Sequence, residues 1–136
     1  MKKLIVAGVL GLTAMSAKSA DYQEVVQYQG SAQQIINAAN KAFGAVKTKN
    51  VTGDTLTVQT KVDCLGGFSF LPVAIPVYGD IIIEAKDNRY RITFDNIKAE
   101  SGYKLTALPD LNSDCQKSFK EFSVHINEKM VSFTDF

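Results

Sequence analysis

The sequence predicts an α+β domain, a curved antiparallel sheet of about five strands with two helices packed on one face, and three observations predict it. Residues 55–64 alternate strictly: Leu56, Val58, Thr60, Val62 and Cys64 share one face, and Thr55, Thr57, Gln59, Lys61 and Asp63 share the other. Such a segment is a strand with one buried and one wet side. Residues 81–86 and 89–97 flank an Asp87-Asn88 turn as a hairpin. Two further segments, one near each end, carry a single apolar stripe at helical spacing. One-sided strands and one-striped helices bury their apolar surfaces only against each other.

The chain opens with a segment of a different kind. Lys2 and Lys3 precede an apolar run from Leu4 to Met15, and small residues follow at Ser16, Ala17, Ser19 and Ala20. This is the pattern of a secretory signal peptide over residues 1–20, with cleavage before Ala20 or Asp21. The run of about twelve residues is too short to span a bilayer core of ~30 Å as a helix, so no transmembrane span is expected after processing. No cysteine follows it, which argues against a lipid anchor. The short, lysine-led signal points to a bacterial periplasm or the medium. Residues 21–136 then suffice for one domain with its own core.

Within that domain, residues 22–28 form the first strand, with Tyr22, Val26 and Tyr28 on one side. Ser31 and Gln34 are spaced as a capping box that starts a helix over residues 32–46. Ile35, Ala39, Ala42, Phe43 and Val46 make its apolar stripe, with Ile36 at the edge. Asn50 to Asp54 is expected to be a loop. The alternating strand that follows should end at Gly66-Gly67. Residues 68–78 are almost wholly apolar but contain Pro72 and Pro76, which exclude a continuous helix and a central strand and leave an edge strand or a crossing loop. In the 89–97 strand, Tyr90, Ile92 and Phe94 point one way, and Arg89, Arg91, Thr93 and Asp95 the other. Residues 103–108 suit a short edge strand, and Pro109 begins a loop. The closing helix is expected from about Cys115, where Cys115, Phe119, Phe122, Ile126, Met130 and Phe133 fall in one narrow arc; Val124 and Val131 lie on the opposite side.

Composition narrows the chemistry. The full chain has 15 Lys+Arg and 14 Asp+Glu; without Lys2, Lys3 and Lys18 the cations number 15 less 3, or 12, against 14 carboxylates. No block of like charge stands out, which argues against a nucleic-acid partner. Cys64 and Cys115 are the only 2 cysteines. In an oxidising compartment their pairing is the default, with two buried thiols or a metal pair as alternatives. A metal is disfavoured because the only imidazole is His125 and no second cysteine sits at ligand spacing. His125 lies near the border of the helical stripe with no marked catalytic partner. Glu121 and Glu128 are spaced like solvated charges. Arg89 and Arg91 suit either cross-strand pairing or contact with an anion or partner. Asp80, Asp87 and Asp95 lack calcium-loop spacing. No cofactor motif is present.

The order of elements, with Tyr28-Gln29-Gly30-Ser31 before the first helix, the hairpin from Ile81 to Phe94, and the helix from about Cys115, resembles an uncharacterised family of secreted bacterial proteins with a TATA-binding-protein-like fold. The resemblance implies that fold and no catalytic residues. A helix-grip fold is the alternative architecture.

Two functions remain open. The first is a non-catalytic exported envelope protein that binds another protein. Its candidate binding surface is Phe68, Phe70, Leu71, Val73, Ile75, Val77, Tyr78, Arg89 and Arg91. The second is a carrier that holds a small apolar ligand between the sheet and the C-terminal helix. An apolar pocket of at least ~300 Å³ at that place would favour the carrier. An enzyme is not expected, because the sequence marks no pair of converging titratable groups.

Overall fold

A computed structural model describes residues 21–44, 49–68, 71–107 and 109–134; the expected signal peptide lies outside them. Strand β1 (Tyr22–Gln27) leads into helix α1 (Ala32–Phe43), then β2 (Lys49–Thr52), β3 (Thr55–Phe68), β4 (Leu71–Lys86) and β5 (Arg89–Ala99). A 3-10 turn (Leu105–Ala107) precedes the long helix α2 (Pro109–Thr134). The five strands form one antiparallel sheet in the order β1-β5-β4-β3-β2. The α+β class and the two-helix architecture are as the sequence predicts.

Register places the core on one face. Leu56 pairs with Ile83 and Val58 with Ile81; across the next ladder Ile83 pairs with Ile92 and Ile81 with Phe94. All six side chains are buried. They meet Ile35, Ile36, Ala39, Ala42 and Phe43 of α1, and Phe119, Ile126 and Met130 of α2, in a single cluster. The two helices touch each other through Phe43 and Phe122, whose ring centroids lie 6.3 Å apart. Each helix covers an apolar stripe that would otherwise meet water, the condition that fixes this layer order.

Helix α1 begins as the sequence directs. Ser31 Oγ accepts from the Gln34 backbone N–H at 3.2 Å, and the Gln34 side chain accepts from the Ser31 N–H at 2.8 Å. Asp87 of the β4–β5 turn adds a third contact, accepting from the Ala32 N–H at 3.1 Å, where a carboxylate also suits the positive end of the helix. The helix stops at Phe43 rather than at residue 46, because Gly44 adopts φ 64°, a conformation that favours glycine and ends helices.

Several boundaries differ from the sequence expectation. Residues 49–52 pair with β3 across a tight turn in which Gly53 has φ 59°, so the expected loop is a hairpin. Strand β3 continues through Gly66 and Gly67. The proline-containing segment is the first half of β4, a strand central in the sheet order. Pro72 and Pro76 lie opposite Gly67 and Asp63 of β3, whereas β5 pairs with β4 only from Val77 onward. The prolines therefore occupy a stretch with one neighbour, where a missing N–H is tolerated. At the switch, Gly79 sits in a register shift, and a Cβ there would lie 2.3 Å from Ile97 Cδ1. Residues 103–107 contribute one bridge, Lys98 to Lys104, and the 3-10 turn instead of a strand; Leu108 lies outside the described residues. Helix α2 starts at Pro109, whose absent N–H is unpaired at a first helical position anyway. Phe133 is 43% exposed, so the apolar stripe of α2 ends at Met130. Val124 and Val131 are exposed as well.

Cys64 and Cys115 form a disulfide, with Cα atoms 4.9 Å apart. It joins β3 to the second turn of α2 and is wholly buried.

Candidate functional site

The helices cover only one face of the sheet. The other face carries the side chains of opposite parity, in rows fixed by the register. One row runs Gln23, Thr93, Ile82, Thr57, and the next runs Val25, Arg91, Glu84, Thr55. The third row sets Gln27 beside Arg89, with Lys86 directly across from it.

Within these rows the polar groups are unevenly paired. Gln23 Nε2 donates to Thr93 Oγ1 at 3.1 Å. Arg91 makes a fork onto Glu84 Oε1, at 3.1 Å from Nε and 3.0 Å from Nη2. Both partners are exposed, so the pair contributes at most about 1 kcal/mol. Lys86 and Arg89 are like charges directly opposite, an arrangement that costs stability on a sheet face. The adjacent carboxylate does not relieve it, because Asp87 is turned toward the start of α1. A groove of about 430 Å³ opens here, walled by Val25, Asp54, Glu84, Lys86, Arg89 and Arg91.

The expected surface residues are therefore divided. Arg89 and Arg91 lie together in this groove. Tyr78 is 45% exposed on the same face, beside Lys61. Val77 points the other way, is buried opposite Val62, and belongs to the core. Its place in the expected binding surface is corrected by strand parity, which sends neighbours in a β-strand to opposite faces. Ile75 pairs with Cys64 and is half-buried. Phe68, Leu71 and Val73 occupy backbone positions where β3 and β4 pair; Phe70 lies outside the described residues. Sequence reasoning missed Val25, Glu84 and Lys86, which reach the groove only through the pairing of β1 and β4 with β5.

On the helix side, one charge points inward. Glu24 shares its face with Tyr22 and Val26, and its Oε2 accepts from Lys120 Nζ of α2 at 2.7 Å. Burial alone would raise its pKa, but the Lys120 ammonium, aided by the Ser123 and Tyr22 hydroxyls nearby, holds it below the ordinary glutamate value. Burial, followed by the Glu24 charge, pushes the Tyr22 phenol up to about 12. Burial similarly raises Tyr90, whose hydroxyl donates to Asn127 Oδ1 at 2.8 Å. Because the folded pKa of Glu24 is depressed, the stability it contributes is complete above the unfolded glutamate value and is lost as pH falls through the folded one. Urea unfolding on the acid side should therefore bring wild type and Glu24→Gln together as pH drops. A stability difference that stays constant through that range would contradict this assignment.

Rings occupy the centre of the layer between sheet and α2. Phe94 stacks on Phe119 with centroids 4.7 Å apart, and Tyr22 and Phe122 meet Phe94 edge-on at 5.7 and 5.9 Å. His125 is exposed in an open groove of about 420 Å³ between β3 and α2, lined also by Lys61, Val62, Asp63, Glu121 and Phe122; its open, charged lining differs from the apolar pocket a carrier would need. Among the described residues no group of three His, Cys, Asp or Glu side chains is placed to hold a metal ion, and no helix is long and apolar enough to cross a membrane.

Compared with known families and with curated proteins, the chain has no match. Similar solved structures include a TBP-like protein from Parabacteroides distasonis, with TM-score 0.60 and 17% identity over 80% of this chain and 90% of that one. Another is a DUF4468 family protein from Bacteroides ovatus, with TM-score 0.54 and 8% identity over 80% of this chain and 84% of that one. At these identities the likeness establishes the fold: the chain has the TATA-binding-protein-like arrangement of sheet and helices. A buried disulfide and bacterial structural neighbours are compatible with an exported protein.

Proposed function

We propose that the protein is a non-catalytic binding module of the bacterial envelope, exported by its N-terminal segment, that engages a protein partner through the uncovered face of its sheet. The supporting observation is the Lys86–Arg89 pair in the groove beside Val25 and Arg91. Two directly opposed cations cost stability in the free chain, the groove's Glu84 is engaged by Arg91, and an acidic partner group would offset that cost. Phe94 stacked on Phe119 occupies the centre of the layer between sheet and α2, and the grooves beside α2 are open and lined by charged side chains, which favours this reading over the carrier.

Photo-crosslinking tests it. A light-activated amino acid placed at position 59 or 84, on the open face, should give a discrete adduct with another protein in cells. The same group at position 117, on the solvent side of α2, should give none. Paired Lys86→Glu and Arg89→Glu substitutions should abolish the adduct. A stoichiometric apolar molecule co-purifying with the chain, with no adduct from the sheet face, would replace the module by the carrier.

A further inference from the structure

Strand β1 is the last strand on its side of the sheet, and among the described residues its outer edge has no partner strand. The phase of that edge follows from one bond. The Tyr28 N–H, one residue past the strand, donates to the Asn88 carbonyl at 3.2 Å, on the β5 side. Successive residues of a strand direct their N–H and C=O groups to alternate sides. Residues 22, 24 and 26 therefore bond to β5, and Gln23, Val25 and Gln27 direct their backbone groups outward.

These outward residues read the same in both directions: Gln23, Val25, Gln27. An antiparallel copy centred on Val25 would set Val25 against Val25 and each Gln23 against Gln27. Every outward N–H and C=O would be satisfied, giving about six inter-chain bonds. The neighbouring registers are worse. Centring on Glu24 opposes two carboxylates, and centring on Val26 leaves Gln23 without a strand residue opposite.

Helix α2 independently marks the same centre. It runs alongside β1 in the same direction, with Glu24 meeting Lys120 and Tyr28 Oη donating to the Met130 carbonyl. A groove of about 290 Å³ between them is lined by residues 24–27 of β1 and by Lys120, Val124 and Glu128 of α2. The groove sets the middle of β1 beside Val124, with Lys120 one turn before it and Glu128 one turn after. A two-fold axis at Val25 brings Lys120 of one copy toward Glu128 of the other. It also sets each exposed valine against its own copy, Val25 (58% exposed in the single chain) on the open face of the seam and Val124 (45%) on the helix face. We infer that the chain forms a two-fold dimer through β1, in which two sheets join edge to edge about Val25 and the facing α2 helices pair Lys120 with Glu128.

This inference does not depend on the proposed partner of the open face. Sedimentation of protein expressed from the full sequence should give twice the mass of one chain, falling toward one chain on dilution. Val25→Cys should form an inter-chain disulfide on mild oxidation. Mixed Gln23→Cys and Gln27→Cys chains should cross-link with each other, and neither should do so alone. Val51→Cys, on the opposite edge of the sheet, is the control and should stay single. A single-chain mass at every concentration overturns the dimer. A dimer whose Val25→Cys form cross-links no faster than Val51→Cys overturns the seam, as does a single chain that binds a foreign strand at β1.

Discussion

Removing the Cys64–Cys115 disulfide is expected to lower the stability of the domain by about 4 kcal/mol. The bridge spans 51 residues of sequence. Closing so long a loop removes many open conformations from the unfolded chain, which is where most of the stabilisation arises in the chain-entropy description. The closed loop contains the second half of the β3–β4 hairpin, all of β5 and the start of α2, so the bridge joins elements that are adjacent only after folding. Domains are stable by about 5–15 kcal/mol in total, so the loss is a large fraction. For a domain of this size it corresponds to a fall in Tm of roughly 15–25 °C. The measurement is thermal unfolding of Cys64→Ala/Cys115→Ala beside wild type, with and without reductant. Alanine is the right replacement because both sites are fully buried, and serine would bury a hydroxyl there. Reduction should lower the wild-type Tm close to that of the double variant and leave the variant unchanged. The urea m-value should also rise when the link is absent, because the unfolded chain expands further. An unchanged Tm on reduction would mean that the helix stripes and the sheet face hold the domain without the staple.

How much of this was legible in the sequence depends on the range of the interaction concerned. The capping box at Ser31 and Gln34 and the alternation from Leu56 to Cys64 are local patterns, and the structure shows both. The hairpin around Asp87-Asn88 is likewise local. Strand β2 was missed because Lys49–Thr52 is short and mostly exposed, so no buried alternation marks it; only its pairing with β3 makes it a strand. The Pro72–Pro76 stretch is an edge, one of the two readings its prolines left open, but the same strand becomes central in its other half. That distinction depends on where β5 ends, which no local pattern records. Parity correctly put Arg89 and Arg91 on the wet face. It could not bring Val25 to Arg91, since β1 pairs with a strand some 65 residues later in the chain. The groove is a product of sheet order, and sheet order is the least local property of this fold. Glu24 carries the same lesson: its parity with Tyr22 and Val26 directs it inward, but the tolerance for a buried carboxylate comes from Lys120 on the final helix.

Phe94 is the side chain on which three elements converge, and its truncation should have the second large effect. Its ring stacks on Phe119 of α2 and meets Tyr22 of β1 and Phe122 of α2 edge-on, and it is fully buried. Phe94→Ala removes the ring and leaves a cavity that its ring neighbours on β1 and α2 cannot all relax to fill. The expected cost is about 3–5 kcal/mol. Phe94→Leu keeps most of the volume and should cost less than about 1.5 kcal/mol if the neighbours repack. The loss should also be uneven. Within one chain, strand β1 pairs on one side only, with β5, and its other support is the ring cluster, the Glu24–Lys120 pair and the Tyr28–Met130 bond. Strands β3 and β4 pair with each other along their whole shared length and face α1 as well. Native-state hydrogen exchange of Phe94→Ala should therefore show β1 and the middle of α2 losing protection well before the β3–β4 hairpin, as expected when local opening follows the loss of buried apolar contacts. If protection fell equally in all three, the ring cluster would be one part of a uniformly cooperative core, and β1 would not depend on Phe94 more than the rest of the sheet does.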